Sequence, residues 1–104
     1  MKSFNERCYS LLKKVPRGKV TTYKEIAHAL KTRAYQAVGN AMRNNPYSPE
    51  VPCHRVVKSE GSIGGFRGEK TGKVISDKIS MLRKEGIIIE NKKIKNFEKK
   101  LFTF

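Results

Sequence analysis

Apolar residues recur at helical spacing from the start of the chain: Phe4, Cys8, Leu11, Leu12 and Val15 share one stripe, with Lys13 and Lys14 opposite. This predicts a helix from Phe4 to Val15 with Cys8 in the core. Val15-Pro16-Arg17-Gly18-Lys19 reads as a turn, because proline stops the helix and glycine admits an unusual backbone angle. Val20-Thr21-Thr22 is β-prone but short. Thr22 and Glu25 have the spacing of a capping box and open a second helix, whose inner face carries Tyr23, Ile26, Ala27 and Leu30. Tyr23 is either a core aromatic or a ring that packs while its hydroxyl reaches outward. After the connector Lys31-Thr32-Arg33, the small residues Ala34, Ala37, Val38, Ala41 and Met42 mark a third helix. Gly39 lies in its middle and costs about 1 kcal/mol against alanine. Close approach of another backbone, or of a phosphate chain, would account for it.

Asn44-Asn45-Pro46 ends the third helix, and Tyr47-Ser48-Pro49-Glu50 loops round to Val51. Val56-Val57-Lys58 is a short strand or simply extended. Residues 59–68 hold four glycines and Phe66, a composition that suits a tight hairpin, a loop lying against a ligand, or an ordinary surface loop. A last helix is predicted over Lys73–Lys84, with Ile75, Ile79 and Leu82 inward and Gly86 placed to cap it. Glu85 stands where the helix dipole disfavours a carboxylate, which hints at a partner. Ile87-Ile88-Ile89-Glu90 and Asn91-Lys92-Lys93-Ile94 predict a hairpin. The tail, with Phe97, Leu101, Phe102 and Phe104, is apolar enough to pack back. The expected fold class is mostly α, one domain over residues 1–104 with a short C-terminal β-hairpin. The second and third helices look like a helix-turn-helix that presents Gln36, Asn40, Arg43 and Asn44.

Charge sharpens this picture. Lys and Arg number 23 against 9 acidic residues, a net of +14. Lysine-rich surfaces of heat-stable proteins usually balance Lys with Glu; here that balance is missing, so the field favours a polyanion such as nucleic acid. No run of about 18 apolar residues suggests a membrane span, and the N-terminus has no secretory pattern. Two cysteines, Cys8 and Cys53, suit a reducing compartment and are too few for a zinc site built on cysteine pairs. A cytoplasmic monomer is expected, with no membrane association, no metal and no cofactor.

The candidate chemistry lies in Pro52-Cys53-His54-Arg55-Val56-Val57. Cysteine reacts as its thiolate, and basic or positive neighbours favour that form. A buried cysteine beside a surface histidine is the bland alternative. Other segments flank it: Gly18-Lys19-Val20-Thr21-Thr22-Tyr23, then Ala37-Val38-Gly39-Asn40-Ala41-Met42-Arg43-Asn44-Asn45-Pro46. Downstream come Gly64-Gly65-Phe66 and Leu82-Arg83-Lys84-Glu85-Gly86. In this order they closely resemble the DNA-binding and catalytic domain of the O6-alkylguanine-DNA alkyltransferases, roughly from Phe4 to Ile89.

The resemblance implies a winged helix-turn-helix that enters the minor groove of double-stranded DNA and swings an O6-alkylguanine out of the stack. It implies that Cys53 accepts the alkyl group, that His54 is its base through a water, and that Glu85 orients His54. Asn45 would support the turn carrying the cysteine. Tyr23 would bond guanine N3; the backbones of Cys53, Val56 and Arg67 would hold the base edge, Phe66 would line the pocket, and Lys78 would lie close by. Asn40 and Arg43 belong to the helix that faces DNA. The arginine that fills the gap left by the flipped base corresponds here to Gln36, and Arg33, one turn earlier, is the alternative. Two further departures are the lack of the additional N-terminal domain common in the family and a longer stretch between Gly68 and Lys78. A related class binds alkylated DNA without accepting the group and has another residue at the cysteine position; Cys53 argues for transfer. A winged-helix regulator would leave His54, Glu85 and Tyr23 without a role.

Overall fold

A computed structural model describes residues 2–48, 50–65 and 72–104. Phe66 and Arg67, both named above as pocket residues, lie outside the described residues. The chain is mostly helical, with two very small sheets.

The first helix, α1, spans Phe4–Leu12 and starts at a reciprocal cap: Ser3 accepts from the Glu6 amide while the Glu6 carboxylate accepts from the Ser3 amide. It ends three residues before the predicted Val15, because tighter bonds from Lys14 N to Leu11 O and Val15 N to Leu12 O unwind the last turn ahead of Pro16. Val15 is nevertheless buried. Strand β1 (Thr21–Thr22) leads directly into α2 (Tyr23–Ala29), with the Thr22 hydroxyl accepting from the Glu25 amide at 3.0 Å. Helix α2 closes through bonds from Lys31 N to His28 O and Thr32 N to Ala27 O, with Lys31 in the left-handed region (φ 58°). Helix α3 spans Tyr35–Arg43, with Ala34 as its N-terminal cap and Asn44 as its C-terminal cap.

Helices α1, α2 and α3 pack on one another around Cys8, Leu12, Ile26, Ala27, Val38 and Ala41, all fully buried. The Tyr9 hydroxyl donates to Ala41 O at 2.9 Å and ties α1 to α3. A single 3-10 turn, Cys53–Arg55, runs into β2 (Val56–Val57), which pairs in parallel with β1: Thr21 opposite Val56 and Thr22 opposite Val57. Helix α4 spans Lys73–Lys84 as predicted. Gly86, at φ 89°, donates to Arg83 O while Ile87 donates to Leu82 O, so it caps α4 in the left-handed conformation expected of it.

The hairpin consists of β3 (Ile89–Glu90) and β4 (Lys93–Ile94). Helix α4 is not the last helix, however: Phe97–Lys100 form a one-turn α5. The tail then runs along the free edge of β1, with Val20 donating to Lys100 O at 2.9 Å and Phe102 donating to Val20 O at 2.7 Å. Thr21 and Thr22 therefore lie between the tail on one side and β2 on the other, which fixes the start of α2 relative to Cys53. Among the described residues, no helix is long and apolar enough to cross a membrane.

Candidate active site

The approach to Cys53 is fixed by backbone bonds. Asn45 Nδ2 donates to Val51 O at 2.8 Å, while its Oδ1 accepts from Tyr47 N at 2.9 Å. Val51 N returns to Tyr47 O at 2.9 Å, and Cys53 N bonds Val51 O at 2.8 Å. One asparagine side chain thus closes the loop that delivers Pro52 and the cysteine. Cys53 and His54 are both buried, 5% and 2% exposed, so His54 is not a surface neighbour of the thiol.

Burial of His54 is compensated on one side. Its Nε2 lies 3.0 Å from Glu85 Oε2. A carboxylate only accepts, so this contact assigns the proton to Nε2 and leaves a lone pair on Nδ1. That Nδ1 is buried and has no hydrogen-bond partner among the described residues. Burial holds the imidazole below its ordinary pKa, with the Glu85 hydrogen bond and charge opposing it. The ring is therefore neutral near pH 7 and has a free basic nitrogen.

Glu85 does more than meet His54. Arg55 Nε donates to Oε1 at 2.9 Å and its NH2 to Oε2 at 2.7 Å, a two-pronged pair, while its NH1 donates to Val15 O at 2.9 Å. Desolvation pulls the Glu85 carboxyl upward, but the Arg55 and His54 hydrogen bonds together hold it below its ordinary value. The acid at the unfavourable end of α4 thus has two cationic or proton-bearing partners. Arg55 was missing from the site residues expected from the sequence, although it follows the Cys-His pair directly.

Lys78 is more deeply placed than a residue close by a pocket. It is fully buried, and its ammonium donates to Val56 O, Ile63 O and Gly65 O at 2.8, 2.6 and 3.0 Å. Three donors meet three carbonyls, which ties α4 to β2 and to the glycine loop. Burial pushes its pKa down to about 7, with Cys53 pulling it back up.

Tyr23 opens α2 half-buried and lines a groove with Lys24, Tyr35 and residues 58–60. Burial and then Cys53 raise its phenol above the ordinary value, so it remains a proton donor. Val56 is fully buried. Gln36, Asn40 and Arg43 are exposed along one face of α3, and Arg33 is exposed just before it. A Cβ added to Gly39 would meet nothing within 4 Å, so no backbone of this chain needs the glycine. Cys8 is the contrasting thiol: fully buried on the inner face of α1, with burial pushing it up to about 11. The structure thus gathers Cys53, His54, Glu85, Asn45, Val56, Lys78 and Tyr23 around β1 and β2, and leaves Arg33, Gln36, Asn40 and Arg43 on a separate solvent face. Among the described residues no cluster of metal-ligating side chains occurs.

Comparison with known proteins gives this arrangement a context. The model of the 6-O-methylguanine DNA methyltransferase DNA binding domain matches residues 3–87. A methylated-DNA–protein-cysteine methyltransferase of Candida glabrata is 39% identical over 92 residues, covering 88% of this chain and 42% of that protein. The crystal structure of the O6-methylguanine-DNA methyltransferase from Pyrococcus kodakaraensis superposes with a TM-score of 0.70 at 42% identity, covering 84% of this chain and 48% of that one. Schizosaccharomyces pombe Atl1, in complex with damaged DNA containing O6-carboxymethylguanine, superposes with a TM-score of 0.83 at 27% identity over 100% of both chains. The chain spans about half the length, or less, of the curated methyltransferases it matches.

Proposed function

The chain belongs to the 6-O-methylguanine DNA methyltransferase family, through its DNA binding domain, and from that premise we propose that it repairs O6-alkylguanine in double-stranded DNA by moving the alkyl group to Cys53. The observation that carries this reading is the buried Cys53-His54 pair backed by Glu85, with the imidazole proton fixed on Nε2.

In this mechanism the Cys53 proton passes through a water to His54 Nδ1, and the resulting imidazolium is stabilised by Glu85. The sulfur attacks the alkyl carbon, the carbon–O6 bond breaks, and its electron pair stays on the guanine oxygen. Tyr23 hydrogen-bonds guanine N3 and helps to neutralise the leaving base. Asn45 is a positioning residue, because it closes the loop before Cys53. The backbones of Cys53 and Val56 hold the base edge, and Lys78 secures the carbonyls beneath it; the roles expected of Phe66 and Arg67 fall outside the described residues. The product is a thioether with no hydrolysable carbonyl, so each molecule acts once.

Residues 1–104 act as one domain in this reading, a winged helix-turn-helix whose α3 enters the minor groove. The exposed row Gln36, Asn40 and Arg43 supports that placement, and so does Gly39, whose open side lets a sugar-phosphate chain approach. The +14 charge supplies the phosphate attraction. Incubated with duplex DNA carrying labelled O6-methylguanine, the protein is expected to take up one label per molecule and then stop. Continued turnover, or no uptake by folded protein, contradicts transfer.

The full-length match to Atl1 favours one other reading, a protein that binds alkylated DNA without accepting the group. The presence of Cys53 supports transfer instead.

Gln36 sits where the family places a wedge arginine. Glutamine offers hydrogen bonds but no charge and no extended planar cation to stack, so base extrusion is expected to depend more on the weakness of the damaged pair. Gln36→Arg should speed single-turnover repair of duplex DNA while leaving the rate with free O6-benzylguanine nearly unchanged. Unchanged rates on both substrates, or loss of duplex repair in Arg33→Ala alone, would assign the wedge elsewhere.

A further inference from the structure

We propose that Lys92 and Lys58 form a phosphate clamp beside the reacting nucleotide, a DNA-backbone contact supplied from the C-terminal hairpin; it rests on the DNA-repair reading above. Lys92 lies outside residues 3–87, the stretch matched by the family model.

The backbone at the hairpin tip singles out Lys92. Asn91 and Lys92 have φ of 51° and 59° between the paired residues Glu90 and Lys93, which makes a two-residue type I′ turn. Such turns favour Asn followed by Gly. Asparagine is present, but a lysine takes the second position, where side chains are strained. A side chain kept at a strained position is a pointer to function.

The side chain of Lys92 is exposed and lines a groove with Lys58, Ser62, Gly64 and Gly65. Gly64 has φ 71°, and a Cβ there would come within 3.2 Å of Lys58 Cγ, so the glycine leaves room for the lysine stem. Among the described residues neither lysine is in an ion pair. Lys93 adds a third cation nearby. The acids are few: Glu60 accepts from the Ser62 hydroxyl and lies within electrostatic reach of Lys58 and Lys93, and Glu90 is 3.7 Å from Lys95.

The groove is also held in register with Cys53. Ile63 N donates to Lys92 O at 2.9 Å and Ile94 N to Gly61 O at 3.0 Å, which fastens the hairpin to the glycine loop. The Ile63 and Gly65 carbonyls are in turn held by Lys78, which also bonds Val56 O, three residues after the cysteine. Two cations at a fixed offset from the nucleophile, on glycine-rich backbone, suit one phosphate of the strand that carries the lesion.

The test uses the whole chain and Lys92→Gly, which places at this turn the residue the turn prefers. The melting temperature is expected to stay the same or rise. Affinity for duplex DNA is expected to fall roughly tenfold near 0.1 M salt, and the slope of log affinity against log salt to become shallower by about 0.9. Lys92→Arg should restore both. Wild-type affinity and slope in Lys92→Gly overturn the clamp, as does a loss of binding that tracks a loss of melting temperature and is not restored by arginine. The parent reading is checked separately on wild-type protein. Failure of the folded wild-type protein to take up a methyl group from O6-methylguanine in duplex DNA overturns that reading whatever Lys92 does, and absence of salt-dependent duplex binding overturns the clamp.

Discussion

Replacing Glu85 with alanine is expected to slow alkyl transfer by about two to four orders of magnitude and to destabilise the fold by about 3–5 kcal/mol. The rate effect follows from the tautomer. Without the carboxylate, nothing holds the proton on Nε2 or stabilises the imidazolium that forms when Nδ1 takes a proton. The stability effect follows from Arg55, whose side chain is 16% exposed and which would lose both bonds to Glu85. Because the Glu85 carboxyl is held below its ordinary value, its contribution is fully present above the unfolded-state pKa. It is lost as pH falls through the folded-state pKa. The stability gap between wild type and Glu85→Ala should therefore be constant near neutrality and shrink in acid below about pH 4. Single-turnover rates with free O6-benzylguanine and denaturant melts across pH measure both. A variant that transfers at the wild-type rate would remove Glu85 from the mechanism.

Lys78→Met is expected to cost about 2–5 kcal/mol near neutral pH, because three buried carbonyls lose their donor while the side-chain length is nearly kept. The pH dependence separates this from a packing defect. Burial lowers the Lys78 pKa from 10.5 to about 7. Between those values the unfolded chain binds the proton more than the folded one, so wild-type stability rises with pH across the window, by at most about 1.4 kcal/mol per pH unit. Below pH 7 both states are protonated and the slope disappears. Lys78→Met should lack the rise, so its deficit grows from pH 7 toward pH 10. The reaction should also slow, since the glycine loop is no longer fastened to β2. Parallel stability curves for the two proteins would contradict a buried, titrating lysine.

Much of the helical framework could be read from local signals. Thr22 with Glu25 marked the start of α2, Gly86 marked the end of α4, and apolar spacing placed Cys8 in the core. Glu85 was legible as an acid in a poor location, and the contacts to His54 and Arg55 explain it. What escaped was non-local. Two-residue strands carry almost no periodic signal, so the pairing of Thr21-Thr22 with Val56-Val57 could not be foreseen. Lys78 lies three residues after Ile75 and four before Leu82, on the inner stripe of α4, yet its charge reads as solvent-facing until three carbonyls are found around it. Arg55 was hidden in plain view, because its role depends on Val15 O and Glu85, both far along the chain. The tail was expected to pack back; that it does so through a bridge between Val20 and Leu101 depends on hydrogen bonds that composition does not encode.

Cys53, and not the other thiol, is expected to receive the alkyl group. Cys8 is a demanding internal control, since it is equally a cysteine but is fully buried and pushed up to about 11 by that burial. The protein is incubated with a duplex containing O6-methylguanine and then subjected to intact-protein and peptide mass spectrometry. One methyl group on the peptide containing Cys53 is expected, with Cys8 unmodified, and Cys53→Ser should still bind the duplex without gaining a methyl. A methyl group on Cys8, or an unmodified wild-type protein that is folded and bound to fresh substrate, would contradict the account.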